Sequence, residues 1–385
     1  MNILIFTTIY PAPSEYGIPG DTKVVHYYAK QWLRAGHTVQ VIYMHMIPVK
    51  NIYKIGNLRK YRGYESDYMF DGIPVHFLEY QLLKPRANYL SAGQAANANN
   101  RIKSFIEQMD APDKVFVHFP CTFKGIKALL DFYCPTMAVL HNIDKNLLEK
   151  FPEVQEELKN YSNLGGRNHN ICASVSQIFS RDCPVVLSGI DETLIPTSDF
   201  IEKKISRKSE MLKIVYAGNL IKLKNVDVLI KALQQTEADY QCEIIGDGVE
   251  MENLRVLAEE NPKIVFRGRL SREATIKKMR DADVFVMVSS PETFGLVYLE
   301  AMAQGCITIG SRGEGIDGVI VDGKNGFLIS PRNIGDLSDS IKKISQMHED
   351  VKRSIVLSAY YNAASMTDYN MADRYLQLNV NKLMD

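Results

Sequence analysis

The sequence predicts an α/β protein built from two doubly wound domains in tandem. At 385 residues the chain is too long for one ordinary hydrophobic core. Short apolar runs typical of buried strands alternate with segments of helical periodicity, which is the pattern of a parallel sheet covered by helices. A polar stretch after Ile190 has no apolar periodicity and divides this alternation into two series.

The first series opens with the strand NILIFTT and a helix over about 22–35, on which Val25, Tyr28 and Trp32 recur at helical spacing before Gly36 ends it. Further strands and helices are expected to alternate after it. The predicted strands are TVQVIYM, IPVHFLEY, KVFVHFP, TMAVLHN, HNICASV and PVVLSGI, and the predicted helices cover about 97–109, 123–132 and 145–162.

The second series begins at Leu212. Its predicted strands are LKIVYAGN, YQCEIIGDG, KIVFRGR, DVFVMVSS, CITIGS, GVIVDG and GFLIS, with helices at NVDVLIKALQQ, EMENLRVLAEE, REATIKKMRDA and around Glu300. We therefore predict a first domain over 1–195, a linker over 196–210 and a second domain over 211–362, with a terminal helix over 363–385 packing back on the first domain. Two such domains leave one cleft, and ligands of such sheets bind beyond the carboxyl ends of the strands.

Composition argues against several classes of protein. Lys plus Arg and Asp plus Glu are equal at 45 each, which argues against nucleic acid as the main partner. No run of about eighteen apolar residues is present to cross a bilayer, and the first strand lacks the basic start of a secretion signal, so we expect a cytoplasmic protein. The six cysteines show neither C-x-x-C pairs nor metal-like spacing, which predicts no disulfide framework and no zinc.

The charge is unevenly distributed along the chain. Residues 1–105 carry about twelve Lys and Arg against about six acids, and five of these basic residues alternate with tyrosines in VKNIYKIGNLRKYRGY. This stretch is either a solvated face or a surface that meets an anionic acceptor or an anionic membrane leaflet. The second alternative places the protein peripherally at the inner face of the plasma membrane.

The stretch SSPETFGLVYLEAMAQG places the carboxylate of Glu300 on a short helix that is otherwise almost wholly apolar. No basic side chain lies one turn away on the same helix, and an unpartnered buried carboxylate would cost several kcal/mol, so another group has to hydrogen-bond to it. The helix is expected to start near Thr293, which leaves the amides of residues 294–297 as free donors at a positive helix end. With Glu292 just before this tip and Glu300 two turns after it, the pattern fits a diphosphate flanked by two polyols.

The stretch PETFGLVYLEAMAQG resembles the Glu-x7-Glu signature of the family-four retaining glycosyltransferases, which have the GT-B fold of two facing Rossmann-like domains. Other stretches resemble further blocks of that family in the right order, so the resemblance covers nearly the whole chain. The donor-domain blocks are YAGNLIKLKNVDVLIKAL, EIIGDGVEMENL, IVFRGRLSREATIKKMRDADVFV and VDGKNGFLISP, and the weaker N-terminal blocks are GDTKVVHYYAKQWLRAGHTVQVI, VLHNIDKN and VLSGID.

The resemblance implies an enzyme that moves a hexose-type sugar from a nucleoside diphosphate sugar, with uridine favoured, to an acceptor hydroxyl with retention of configuration. The acceptor would be a saccharide, a lipid-linked sugar or another small molecule, as in synthesis of cell-surface polysaccharide or glycolipid. Such enzymes are usually drawn with attack on the face that the diphosphate leaves, so that the departing diphosphate takes the acceptor proton. No Asp-x-Asp motif stands in a suitable place, and we expect no metal or other cofactor.

The resemblance also implies roles for individual residues. Glu292 would face the donor sugar, Glu300 would accept from the ribose hydroxyls, and Lys224 would stabilise the diphosphate leaving group. The family usually has an arginine five residues before that lysine, where this chain has Asn219, so Lys222 or the helix tip would have to compensate. His141 would lie near the reacting sugar, and the remaining donor-binding positions would be Gly20, Arg269, Leu270, Thr293, Phe294, Gly295 and Leu296.

Other interpretations of these residues stay open. Lys224 is otherwise a surface lysine, His141 a hydrogen-bonded structural histidine, and Glu314 has no assigned role. Other reactions on the same scaffold are those of a glycoside phosphorylase and of a nucleotide-sugar hydrolase or epimerase. A non-catalytic, partner-binding subunit is also possible, because Asn219 and Pro19 replace residues usual in the family. A nicotinamide oxidoreductase is disfavoured, since the first βα loop lacks G-x-G-x-x-G.

Overall fold

The computed structural model describes residues 1–16, 18, 23–48, 65–82, 90–123, 125–126, 132, 134–207, 211–259 and 261–378. The chain divides into two compact units. The first comprises Met1–Arg167, Ile171–Leu187 and the C-terminal segment from Met371, and the second comprises Asn168–Asn170 and Ser188–Asn370. None of the helices in the described ranges has the length and apolar character needed to cross a bilayer.

The first unit contains a sheet with helices around it. Its strands are β1 (Asn2–Thr7), β2 (Thr38–Pro48), β3 (Glu65–Phe70), β4 (Ile73–Leu82), β5 (Lys114–His118), β6 (Thr136–Leu140) and β7 (Asn163–Gly166), in the spatial order β3-β4-β2-β1-β5-β6-β7. All neighbours pair in parallel except β3 and β4, which form an antiparallel edge that the sequence did not predict. The helices are α1 (Val24–Arg34), α2 (Ala92–Ile106), α3 (Asn142–Lys150), α4 (Pro152–Lys159) and α5 (His169–Phe179).

The second unit contains a wholly parallel sheet. Its strands are β8 (Leu212–Ala217), β9 (Tyr240–Ile245), β10 (Ile264–Gly268), β11 (Val284–Val286), β12 (Ile307–Ser311) and β13 (Phe327–Ile329), in the order β10-β9-β8-β11-β12-β13. The helices are α6 (Ser198–Ile205), α7 (Val226–Gln235), α8 (Met251–Leu257), α9 (Arg272–Asp281), α10 (Leu296–Ala303), α11 (Ile334–Ser345) and α12 (Glu349–Ser365). The last helix, α13 (Asp368–Gln377), lies mostly in the first unit. The prediction of two doubly wound α/β domains is confirmed.

The end of the chain packs on the first unit through α13. The indole Nε1 of Trp32 on α1 donates to the carbonyl of Ala372 at 2.9 Å, and the ring of Tyr375 lies 4.5 Å from that of Phe116 on β5. The sequence predicted one terminal helix over 363–385, whereas the described residues of this region, up to 378, are divided between the end of α12 and α13. The apolar face of α1 is therefore covered by the last helix as well as by the sheet.

Three stretches predicted as strands have another structure, and one of them, PVVLSGI, makes only isolated bridges at Val185 and Ile190. HNICASV lies in α5, where Ile171, Cys172 and Val175 are buried at helical spacing. The strand of this region is the short NLGG of β7, whose Gly166 packs so closely against α5 that a Cβ there would lie 2.6 Å from Cys172 Sγ. GVIVDG forms turns, because the side-chain amide of Asn325 bonds the backbone of Val319 and Val321 in place of a neighbouring strand.

The predicted linker over 196–210 contains a helix. In α6 the side chain of Ile201 is fully buried, and the ammonium of Lys204 donates to the carbonyls of Met279 and Gln304 at 3.2 and 2.8 Å. The lysine therefore caps the carboxyl ends of α9 and α10, where a cation is favourable. The second unit begins at Ser188, before the domain boundary of 195 drawn from the sequence. Most of the helix predicted at 123–132 lies outside the described residues.

Candidate functional site

An open cavity of about 390 Å³ lies beyond the carboxyl ends of β8, β9 and β10 in the second unit. This is the edge at which ligands of parallel sheets bind. Six of the residues predicted to bind or activate the donor line it together: Asn219, Lys224, Arg269, Leu270, Gly295 and Leu296. Arg272 and Thr275 of α9 line the same cavity. Lys222, suggested as a compensating cation, is exposed and is absent from the lining.

The helix α10 begins about one turn later than the start near Thr293 that the sequence predicted. The helix begins at Leu296, and Gly295 before it adopts φ 74°, a left-handed conformation that favours glycine. Phe294 is buried, and the amide of Thr293 donates to Glu292 Oε1 at 3.1 Å. In the described part of the chain the amides of Leu296 and Val297 have no acceptor, and both residues line the cavity. Free donors of the helix tip therefore face the cavity from these two positions.

Glu292 and Lys224 form an ion pair beside the cavity. Lys224 Nζ lies 2.6 Å from Glu292 Oε2, and Ser289 Oγ donates to the same oxygen at 3.0 Å. The carboxylate is 11% exposed and the lysine side chain 22% exposed. Asn225, left-handed at φ 49°, holds the lysine turn against the end of β11 because its side-chain amide donates to Val288 O at 2.8 Å.

Glu314, which the sequence left unassigned, fixes the loop that carries Glu292. Its Oε2 accepts the amide of Glu292 at 2.7 Å, and its Oε1 accepts from Ser290 Oγ at 2.6 Å. The next amide, that of Gly315, donates to the carbonyl of Glu292 at 3.0 Å, and a Cβ at Gly315 would lie 2.0 Å from Thr293 O. Two adjacent loops are thus joined where the sequence showed only an Arg-Gly-Glu-Gly turn.

The partner of Glu300 is Arg272, from the first turn of α9. The guanidinium Nε and Nη2 donate to Glu300 Oε1 at 3.1 and 2.6 Å. From the sequence, Glu300 was expected to bond to the hydroxyls of a ribose, and its pairing with Arg272 was not predicted. The sequence did contain a signal for this pair. An arginine in the first turn of a helix lies at the positive end of the helix dipole, which is unfavourable unless an acidic partner compensates it.

His141 belongs to the first unit and is nearly buried. Its Nε2 lies 3.2 Å from His118 Nδ1, and its ring stacks on Phe119 with centroids 3.7 Å apart. His118 in turn lies 3.3 Å from the hydroxyl of Tyr375. Burial, reinforced by the positive charge of Arg167, lowers the pKa of His118 to about 3, and burial holds the pKa of His141 well below its usual range. Both rings are therefore neutral near pH 7. Gly20 lies outside the described residues.

A pH dependence of stability follows from this histidine pair. The unfolded chain takes up a proton at His118 below pH about 6.5, whereas the folded chain does not until about 3, so stability falls as the pH drops through this window. The pKa of Asp144, which burial raises to about 7, acts in the opposite sense, because it lowers stability as the pH rises from about 4 to 7. In His118→Gln we expect the free energy of unfolding to fall less as the pH drops below about 6.5, by a few kcal/mol (about 1.4 per pKa unit).

Urea unfolding at pH 7, 5.5 and 4.5 measures this effect, with His348→Gln, which replaces an exposed histidine, as the control. The control should follow the wild type. An acid limb of unchanged slope in His118→Gln would contradict the low pKa of the buried ring.

Comparison with known proteins shows which proteins this chain is similar to. Residues 197–355 match the family described as "Glycosyl transferases group 1". The chain is 32% identical over 163 residues to a sulfoquinovosyl transferase of Arabidopsis thaliana, which covers 41% of this chain but only 31% of that protein. It is 24% identical over 343 residues to the N-acetyl-alpha-D-glucosaminyl L-malate synthase of Bacillus anthracis, which covers 80% of this chain and 87% of the relative. Other matched relatives have names from lipopolysaccharide and teichuronic acid synthesis.

The likeness to solved structures extends over the whole chain. Anabaena Alr3699/HepE in complex with UDP and glucose superposes with a TM-score of 0.62 at 18% identity and covers 98% of both chains. At this identity the likeness concerns the fold, which is the GT-B fold expected from the sequence. The likeness in sequence extends over 80% of this chain for the Bacillus anthracis relative, and the likeness in architecture extends over nearly all of it.

Proposed function

We propose that this protein, whose residues 197–355 match the glycosyl transferases group 1 family, transfers a hexose-type sugar from a nucleoside diphosphate sugar to an acceptor hydroxyl with retention. One observation carries the proposal. Lys224 and the tip of α10, whose amides at Leu296 and Val297 have no acceptor among the described residues, line one cavity, and Arg272, which lines it as well, is hydrogen-bonded to the carboxylate of Glu300. A cation and helix-tip amides suit a diphosphate, and a carboxylate suits the hydroxyls of a ribose.

The proposed reaction needs no covalent sugar intermediate. The bond between the anomeric carbon and the diphosphate oxygen breaks, the acceptor oxygen bonds to that carbon from the same face, and the acceptor proton passes to the departing diphosphate. Retaining glycosidases instead use a carboxylate as nucleophile, with a second about 5 Å away. Glu292 is held by Lys224, Ser289 and the loop amide, which suits a role in binding the sugar better than attack on it. Lys224 and the helix tip would stabilise the developing charge on the diphosphate.

We further propose a uridine donor, no need for a divalent cation, and an acceptor in surface polysaccharide or glycolipid synthesis. The uridine preference rests on the Anabaena protein, whose solved structure holds UDP and glucose. In the described ranges, no group of three or more His, Cys, Asp or Glu side chains is arranged to hold a metal ion. The basic stretch at residues 49–64 lies outside the described residues, and contact with an anionic inner leaflet is proposed from its sequence alone. Co-flotation with anionic but not neutral liposomes would test that contact.

A donor panel tests the function. The purified chain is mixed with UDP-glucose, UDP-galactose, UDP-N-acetylglucosamine, GDP-mannose or ADP-glucose, with and without EDTA, and its unfolding is followed. A donor at about 100 times its Kd should stabilise the fold by about 2.7 kcal/mol. Nucleotide release that depends on an acceptor extract is the expected result.

The same panel separates the other candidates. Release with free phosphate alone would indicate a phosphorylase, and release with water alone a hydrolase. An altered sugar without release would indicate an epimerase. Absence of both stabilisation and release across the panel would favour a non-catalytic subunit and contradict the proposal.

A further inference from the structure

The pair between Arg272 and Glu300 has an asymmetry that bears on nucleotide recognition. Both guanidinium contacts, from Nε at 3.1 Å and from Nη2 at 2.6 Å, reach the same carboxylate oxygen, Oε1. The other oxygen, Oε2, accepts no hydrogen bond from the described residues. Glu300 is 13% exposed, so its orientation is restricted by the helix on which it sits. The pair therefore fixes one oxygen and leaves the second available.

Arg272 is poorly placed to serve stability alone. It occupies the first position of α9, where the amides already present positive charge, so its own charge is unfavourable there. Ser271 caps the same end with its hydroxyl, which accepts the amide of Ala274 at 3.2 Å, so the helix start needs no arginine. The arginine is about half exposed, and exposed ion pairs contribute little to stability.

Arg272 also lines the cavity that Asn219, Lys224 and the tip of α10 surround. Its guanidinium is a planar fork, and two donors on one acceptor hold that acceptor in direction as well as in distance. A lysine at the same position could hold the carboxylate only as a point charge. The geometry thus suits a residue that orients Glu300 for a ligand in the cavity.

We propose that Arg272 is a positioning residue: by holding Oε1 of Glu300 it keeps Oε2 directed to the ribose hydroxyls, and so makes the site select ribonucleotides over 2′-deoxyribonucleotides. This inference rests on the proposed function, because it takes the occupant of the cavity to be a nucleoside diphosphate. It concerns a residue outside the Glu-x7-Glu signature. Without the arginine, the carboxylate rotates more freely and its hydrogen bond to the ribose loses direction.

Calorimetry measures the affinities for UDP and 2′-deoxy-UDP and for GDP and 2′-deoxy-GDP. The nucleotide pair that binds the wild type more tightly is then used for the variants. In the wild type we expect the deoxy compound to bind at least about 10-fold more weakly, as for the loss of a hydrogen bond to a charged group. Arg272→Ala should reduce this ratio to about 3-fold or less, and Arg272→Lys should give an intermediate ratio. The control Lys277→Ala removes an exposed positive charge from the same helix and should keep the wild-type ratio.

The outcomes are distinct. If Arg272→Ala binds both nucleotides more weakly but keeps the full ratio, the arginine acts only through its charge and the inference is wrong. If Arg272→Lys keeps the full ratio, directional holding by the guanidinium is wrong. If the wild type binds neither nucleotide, or binds the ribo and deoxy forms equally, the proposed donor site itself fails, and the inference fails with it. A general loss of folding would appear as a lower unfolding midpoint, which Arg272→Lys avoids because it keeps the charge.

Discussion

Lys224→Ala is expected to lower kcat for sugar transfer by about 10²- to 10³-fold, the usual effect of removing one group that stabilises developing negative charge. The effect should fall mainly on kcat, because the charge on the diphosphate grows as the bond to the sugar breaks. Before the donor binds, the lysine is 2.6 Å from Glu292 Oε2, so it has to turn part of its interaction toward the diphosphate during the reaction. Steady-state kinetics with a saturating acceptor measure the change.

Two further variants serve as controls for the effect of Lys224→Ala on kcat. Lys231→Ala removes a lysine that pairs with Asp227 on α7 and should keep wild-type kinetics. Lys224→Arg keeps the charge but changes its shape, and should recover part of the activity. The unfolding free energy of Lys224→Ala should fall by about 1–3 kcal/mol, since a partly buried carboxylate loses its partner. Wild-type kcat in Lys224→Ala would show that the lysine is a surface residue.

Glu292→Ala is expected to separate binding of the sugar from binding of the nucleotide. The value of kcat/KM for the nucleotide sugar should fall about 10²-fold or more, because we propose that this carboxylate binds the donor sugar. The affinity for UDP without a sugar should be unchanged or higher, since the substitution releases Lys224 from its ion pair. Kinetics with the nucleotide sugar and calorimetry with UDP measure the two effects separately.

The opposite responses of the two variants are the control for each other. Lys224→Ala should weaken UDP binding, and Glu292→Ala should not. A double variant should show strong non-additivity, because the two side chains are in direct contact. Equal loss of UDP affinity in both single variants would mean that a damaged loop, rather than the loss of specific contacts, explains the kinetics.

The sequence predicted the second sheet well for a physical reason. A parallel sheet covered on both faces requires continuous apolar strands, and runs such as KIVYAG and DVFVMV carry that signal in adjacent residues. The cavity followed from the same logic, since Asn219, Arg269 and Leu270 come directly after strands. The strand predicted at HNICASV was wrong because a short apolar run fits the period of a helix as well as that of a strand. The glycines of β7, which permit the close approach of α5, look like a loop in the sequence.

Partners from distant parts of the chain could not be predicted in the same way. Arg272 lies 28 residues from Glu300, and Glu314 lies 22 residues from the amide that it accepts. Helical spacing shows only that Glu300 needs a partner, and the fold decides which one it has. The helix in the predicted linker was missed for a related reason. In the sequence Lys204 is indistinguishable from a solvated lysine, because the carbonyls that it caps come from distant parts of the chain.

The central claim is that a nucleoside diphosphate lies between Lys224, the tip of α10 and Glu300. A crystal structure with UDP or a UDP-sugar bound tests it most directly. We predict phosphate oxygens within hydrogen-bond distance of Lys224 Nζ and of the amides of Leu296 and Val297, and a ribose hydroxyl on Glu300 Oε2 while Arg272 keeps Oε1. A nucleotide bound elsewhere, with the helix tip and Glu300 Oε2 unoccupied, would contradict it.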